Sequence, residues 1–210
     1  MDALLTLPQT LAFLTAASVI AVAPGPDNLM VLSLGMSRGR RQGVAFALGC
    51  ALGCLNHTAL AALGISALIA ASPLAFTGLK LAGGLYLIWL GVHAIRHARA
   101  TGSLATATPA NETPGRLFLK GLLANAINPK IVLFFLAFLP QFVDASRGHA
   151  GWQIAQLGGL MTLVSALIFA AIAWFAGSLG ERLARQPKLG AWLDRAAGGI
   201  FVLLGFKLLI

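Results

Sequence analysis

Apolar residues run along this chain in long blocks. Six such blocks lie at about 5–36, 42–71, 74–95, 117–142, 152–179 and 191–210. Each is long enough to cross a bilayer core as a helix, which takes ~20 residues. A barrel strand would alternate apolar with polar positions, and these blocks do not. The pattern predicts an all-α membrane protein with six transmembrane helices. The first, second and fifth blocks exceed ~20 residues, so those spans should tilt or break.

Two blocks carry residues that a continuous apolar helix does not tolerate. Pro24-Gly25-Pro26-Asp27-Asn28 falls inside the first, and Asn128-Pro129-Lys130 inside the fourth. Proline removes a helix hydrogen bond and clashes with the preceding turn. An acid or an ammonium in hydrocarbon is costly unless it faces a cavity or other protein. Pro26 stands 12 residues from Arg38, and Pro129 stands 13 from Arg116. At 1.5 Å per residue each break lies roughly 18–20 Å from these basic anchors. That depth is near the middle of a core ~30 Å thick. Helices 1 and 4 are therefore expected to be broken near the midplane.

The two halves also resemble each other. Ala82-Gly83-Gly84-Leu85-Tyr86-Leu87-Ile88 matches Ala197-Gly198-Gly199-Ile200-Phe201-Val202-Leu203, and Lys80 then matches Arg195. With three spans per half, the second half enters the membrane upside down relative to the first. The expected organisation is a three-helix repeat over 1–100, a cytoplasmic linker rich in Thr, Ala and Pro over 101–115, and an inverted three-helix repeat over 116–210. Inverted repeats with paired broken helices are a transporter architecture, with the binding site at the repeat interface.

Composition agrees: 58% of the 210 residues are hydrophobic and 10% are charged, against roughly 25% charged in soluble domains. The formal charge of +9 does not point to nucleic acid, because the basic residues gather at span ends. Eleven of the 15 Lys and Arg fall in loops 1–2, 3–4 and 5–6 or their flanks. The positive-inside rule puts those loops in the cytoplasm and both termini outside, in the periplasm of a bacterium. Met1-Asp2-Ala3 has no basic n-region, so the first span is read as uncleaved. Cys50 and Cys54 share one face of helix 2 beside Gly49 and Gly53, which fits helix packing better than a disulfide or metal site. Glycine-rich faces can pack within a subunit or between copies, so a homo-oligomer is compatible with the chain.

The candidate substrate-binding residues are Asp27, Asn28, Asn125, Asn128 and Lys130, with Pro24, Gly25, Pro26 and Pro129 as the helix breaks. Asp27 either receives a substrate ammonium or a proton, or it partners Lys130 or a helix N-terminus. A carboxylate for which proton and substrate compete can couple the two. Lys130 either binds a substrate carboxylate or neutralises Asp27. The three asparagines either bond substrate or cap broken backbone. Gly25 with Pro26, and Asn128 with Pro129, read as an N-cap followed by proline at the first helical position. Restarted helices expose positive N-terminal ends that favour carboxylates. His57, mid-span in helix 2, is either a proton relay or a packed histidine bonded to a carbonyl.

Several of these motifs together resemble the LysE/RhtB family of amino-acid exporters. Pro24-Gly25-Pro26-Asp27 with Arg40-Arg41-Gln42-Gly43 resembles the family's opening. Phe76, Lys80, Tyr86-Leu87 and Leu90-Gly91 resemble its third span. Asn125-Ala126-Ile127-Asn128-Pro129-Lys130, Phe134-Phe135 and Pro140-Gln141-Phe142 resemble its fourth. The resemblance implies a multi-pass protein of the bacterial inner membrane. It implies export of small amino acids or derivatives of the threonine, homoserine or lysine class by antiport, with the proton motive force as energy source and no cofactor. The related superfamily also includes metal-ion exporters and thiol–disulfide carriers. Both cysteines lie on one span, which disfavours the redox reading, and Cys50, Cys54 and His57 are a thin metal-ligand set. No nucleotide-binding loop and no nucleophile–base pair is visible, so neither an ATPase nor another enzyme is expected.

Overall fold

The computed structural model of the protein describes residues 4–96 and 112–209. Residues 101–111 of the expected linker lie outside that set. Among the described residues every regular element is helical. The first apolar block forms α1 (Leu7–Val22) and α2 (Pro26–Arg38), bent by 57° at the break. Gly39 then turns the chain with a positive φ of 88° into α3 (Arg40–Ala71). α4 spans Pro73–Arg96. The fourth block forms α5 (Pro114–Ala126) and α6 (Pro129–Leu133), and its two limbs meet at 50°. The chain continues through α7 (Ala150–Trp174), α8 (Ala176–Arg185) and α9 (Pro187–Leu209).

The fifth block was expected as one span over 152–179, but it ends at Trp174, where Phe175 leaves helical geometry with ψ near 10°. α6 departs further from expectation. After Leu133 the backbone widens into a π-helix over Phe134–Phe138, then tightens into a 3-10 turn over Leu139–Phe142. Pro140 lacks the N–H that would bond four residues back and crowds that carbonyl, which accounts for the loss of α geometry.

Three stretches are long and apolar enough to cross a membrane: Arg40–Gly64, Thr77–Arg96 and Ala150–Trp174. The two bent pairs raise this to five if each pair is one span. Large apolar side chains such as Leu63, Leu74, Leu85, Leu167 and Leu203 are exposed on the helix exteriors, as a lipid-facing surface requires.

Glycines set which helices touch and in which direction. On α3, Gly49 abuts Phe118, Cys50 faces Gly121 of α5, and Gly53 abuts Asn125. Contacts advance together, so α3 and α5 run parallel. Against α7, Gly43 meets Ala173 and Thr58 meets Gly158, so α3 and α7 are antiparallel. α4 crosses α9 antiparallel through Gly84 against Gly205 and Gly91 against Gly198. A Cβ at any of these glycines would strike the facing helix, so small residues permit close backbone approach. Cys50 and Cys54 are free and buried on the α3 face that carries this packing.

The core sits around the breaks. Phe13 of α1 packs edge-on to Phe142, with ring centroids 5.2 Å apart, and stands 6.0 Å from Phe134. These rings fill the space between α1 and the π segment, above the polar centre.

Candidate functional site

Breaking a helix in the bundle centre strands carbonyls on one side and amides on the other. The first break leaves the carbonyls of Ile20 and Ala23 without helix partners. Lys130 reaches across from α6 and donates to both, at 3.3 and 3.0 Å, and to Asn28 Oδ1 at 3.3 Å. Asn28 in turn donates to the carbonyl of Ala21 at 2.7 Å. An ammonium at the carbonyl end of α1 is also favoured by the helix dipole. Gly25 leaves room for it: a Cβ there would lie 2.9 Å from Lys130 Nζ. Pro24 and Pro26 flank that glycine, and Pro26 opens α2 at its first position.

The second break caps itself. Asn128 Oδ1 accepts from the Lys130 amide at 3.0 Å, with Pro129 opening α6. The Asn125 carbonyl accepts from the Asn128 amide at 3.0 Å and from His57 Nε2 at 3.1 Å. A carbonyl only accepts, so His57 carries its proton on Nε2 in this contact.

Asp27 lies in the first turn of α2 with 1% of its surface exposed. Its Oδ2 accepts from Asn125 Nδ2 at 3.0 Å, which joins the two breaks. Its Oδ1 is buried without a hydrogen-bond partner. Among the described residues Asp27 and Lys130 do not join in an ion pair. Three more atoms of this centre are buried and unpartnered: Asn125 Oδ1, Asn128 Nδ2 and Ser165 Oγ. The Cys54 thiol touches both Ser165 and Asn125. Buried polar atoms are rarely left unpaired, and here four fall in one centre, where a polar ligand would satisfy them.

Polar side chains also tie the helices together near the N-terminus of α1 and the C-terminus of α2. At the α1 N-terminus, Gln9 completes a capping box with Thr6 and donates to the Phe142 carbonyl and to Gln153 Oε1. Gln153 is buried and donates to the carbonyls of Asp144 and Gly148, both at 2.9 Å. At the other end Glu112 pairs with Lys120 at 2.6 Å and with Arg38 at 3.7 Å, linking α2 to α5. The Lys120 ammonium, with help from Arg38 and Arg116, holds the Glu112 carboxyl below the ordinary carboxylate range.

A family model described as "LysE type translocator" matches residues 18–210. The chain belongs to the LysE family. It is 32% identical over 209 residues to a threonine efflux protein of Escherichia coli K12, covering 94% of this chain and 97% of that one. It is also 32% identical to a homoserine/homoserine lactone efflux protein of Salmonella typhimurium, covering 96% of each. An uncharacterized membrane protein of Vibrio cholerae is 34% identical over 199 residues, with 94% and 95% covered. No solved structure matches the chain.

In this LysE family bundle, the expected site residues Asp27, Asn28, Asn125, Asn128 and Lys130 form one connected set, and His57 joins it through the Asn125 carbonyl. The sequence reading did not single out Ser165, Gln153 or Gln9. Ser165 lies within an apolar block with no proline or charge to flag it, whereas Gln9 follows Pro8 and stands three residues after Thr6, a capping-box spacing that could have flagged it. Among the described residues no group of three or more His, Cys, Asp or Glu is placed to hold a metal ion.

Proposed function

We propose that this chain exports a small amino acid from a bacterial cell by exchanging it for protons, and that Asp27 binds the substrate ammonium and the proton in turn. The observation that carries the reading is Asp27 itself. It is an acid in the middle of a broken apolar helix, buried, with one oxygen held by Asn125 and the other unpartnered. A buried acid inside a membrane helix is a functional group by default. An α-amino acid supplies the matching parts: an ammonium for Asp27 Oδ1 and a carboxylate for Asn128 Nδ2. Threonine and homoserine efflux proteins among the relatives support the same substrate class.

The architecture we propose has six spans in two inverted halves, with α9 as the sixth. The α4–α9 crossing supports this, because Gly84 stands to Gly205 as Gly198 stands to Gly91. A twofold operation would exchange these pairs. That register superposes Gly84 on Gly198, one residue off the match of Ala82-Gly83-Gly84 with Ala197-Gly198-Gly199. In this reading both termini are periplasmic and the protein lies in the inner membrane. Glu112, Arg38 and Lys120 then close the cytoplasmic end, and Gln9 with Gln153 closes the periplasmic end.

The test is substrate-dependent proton flux in proteoliposomes, with labelled amino acids and divalent metals supplied in parallel. Amino-acid counterflow with coupled proton movement is expected, and Asp27→Asn should abolish the coupled flux. Losing a buried charge-assisted contact weakens binding by ~2–5 kcal/mol, so substrate affinity should fall by about 30-fold or more. Wild-type coupling in Asp27→Asn would remove Asp27 from the mechanism. Movement of divalent metals and of no amino acid would favour a metal exporter.

A further inference from the structure

We infer that Ser165 of α7, together with the side-chain oxygen of Asn125, reads a hydroxyl on the side chain of the transported amino acid. This rests on the amino-acid export proposed above and assigns its selectivity to two named atoms.

Serine inside a membrane helix ordinarily returns its hydroxyl to the carbonyl four residues earlier. Thr58 does so to Cys54 at 2.8 Å, Thr162 to Gly158 at 2.9 Å and Ser37 to Ser33 at 2.7 Å. Ser165 does not. It is 1% exposed and its oxygen has no hydrogen-bond partner. Its neighbour is the Cys54 thiol, a weak hydrogen-bonding group that interacts with both Ser165 and Asn125. The Asn125 amide is oriented by its bond to Asp27, since a carboxylate accepts and only Nδ2 can donate to it. Asn125 Oδ1 is thereby left free, and it faces Gly53, where a Cβ would come within 2.8 Å of it.

The chemistry of the four unpartnered atoms can be matched to a ligand one by one. Asp27 Oδ1 is an anionic acceptor and suits an ammonium. Asn128 Nδ2 is a donor and suits a carboxylate. There remain an amide acceptor, Asn125 Oδ1, and a hydroxyl that both donates and accepts, Ser165 Oγ. A substrate hydroxyl satisfies the two together: it donates to Asn125 and accepts from Ser165. An aliphatic side chain would leave both buried and unpaired. A lysine-like side chain would bring a second ammonium, and among the described residues Asp27 is the only buried acid.

A site built to bond a hydroxyl rejects the isostere that lacks it strongly, whereas an apolar pocket does not. The test compares labelled threonine with valine, and homoserine with norvaline, in proteoliposomes of the full-length protein. The wild type should favour the hydroxylated member of at least one pair by about tenfold or more in kcat/KM. Ser165→Ala should bring that ratio close to one. Ser165→Cys, of similar shape and with a weak donor, should fall between. Transport of amino acids with no hydroxyl preference in the wild type would overturn the inference while leaving export intact. A preference that survives Ser165→Ala would overturn it too. If Ser165→Ala does not accumulate, the wild-type ratios and Ser165→Cys decide the question. If the wild type moves no amino acid at all, the export reading itself fails, and this inference with it.

Discussion

Between Val22 and Pro26 the chain leaves the last carbonyls of α1 to a side chain from across the bundle. Between Ala126 and Pro129 it caps its own restarted helix with Asn128. The first break depends on the second, and the dependence is not mutual. Without Lys130 the Ile20 and Ala23 carbonyls have no donor, whereas the α6 start keeps its Asn128 cap whatever happens near Gly25. The first break also holds Asp27, and its cap residue Gly25 has no side chain. The break that carries the proposed binding acid is therefore the less self-sufficient. An externally supported break suits the proposed role of responding to loading, and a self-capped one suits a fixed support.

The largest effect that separates the two follows from removing the support. Lys130→Met strands the Ile20 and Ala23 carbonyls and Asn28 Oδ1. Bonds to a charged donor are worth ~1.5–3 kcal/mol, and leaving a buried acceptor unpaired costs ~1–3 kcal/mol. The variant should lose most of its membrane abundance and unfold at lower temperature in detergent. Normal abundance with a raised KM would mean instead that Lys130 binds substrate. Because Asp27 is bonded to Asn125 and not to Lys130, the double variant Asp27→Asn, Lys130→Met should not recover proton-coupled transport. Recovery would show that Lys130 exists to neutralise Asp27.

A smaller effect should be asymmetric. Pro26→Ala and Pro129→Ala both remove a residue that pre-sets the first turn. At Pro129 the Asn128 cap remains, and such a cap is worth ~1 kcal/mol. At Pro26 no side-chain cap exists, and an alanine lets α1 and α2 approach a continuous helix. Transport per molecule should drop about tenfold for Pro26→Ala and about threefold for Pro129→Ala, given that cap energy. Equal losses, measured as counterflow normalised to protein in the membrane, would refute the asymmetry.

The breaks were legible in the sequence because proline, glycine and charge are rare in apolar blocks and have few tolerable uses there. Counting spans makes α3 parallel to α5 and antiparallel to α7, and their glycine contacts run that way. The partner of Lys130 was not legible. The sequence offered Asp27 or a substrate carboxylate, and backbone carbonyls are invisible in a list of side chains. The π-helical stretch at Phe134–Phe138 was hidden for a similar reason: Pro140 was there to be read, but its consequence depends on how the backbone upstream relaxes. Ser165 was missed because a serine in a helix ordinarily bonds its own backbone, and only the fold shows that this one does not.

The smallest expected effect lies at the end of the bundle farthest from α1's capping box, and it sharpens which group answers to pH. Glu112 ties α2 to α5 through Arg38 and Lys120, so each limb's outer end is held by the same carboxylate. Its pKa is depressed, first by the Lys120 hydrogen bond. A depressed carboxylate contributes its attraction fully above the ordinary carboxylate value and loses it as pH falls through the lowered one. The ordinary value for glutamate is about 4.3, so between about pH 5 and 8 the tie stays charged and constant. Its Lys120 partner is half-exposed, so solvent screens that pair and keeps it weak. Glu112→Gln should therefore change transport by no more than about twofold, chiefly by loosening this end of the bundle, and the effect should shrink at high salt. Its pH profile over that range should run parallel to the wild type, whereas the profile of Asp27→Asn should flatten. A pH dependence that changes in Glu112→Gln and persists in Asp27→Asn would move the proton-responsive group from the break to the end of the bundle.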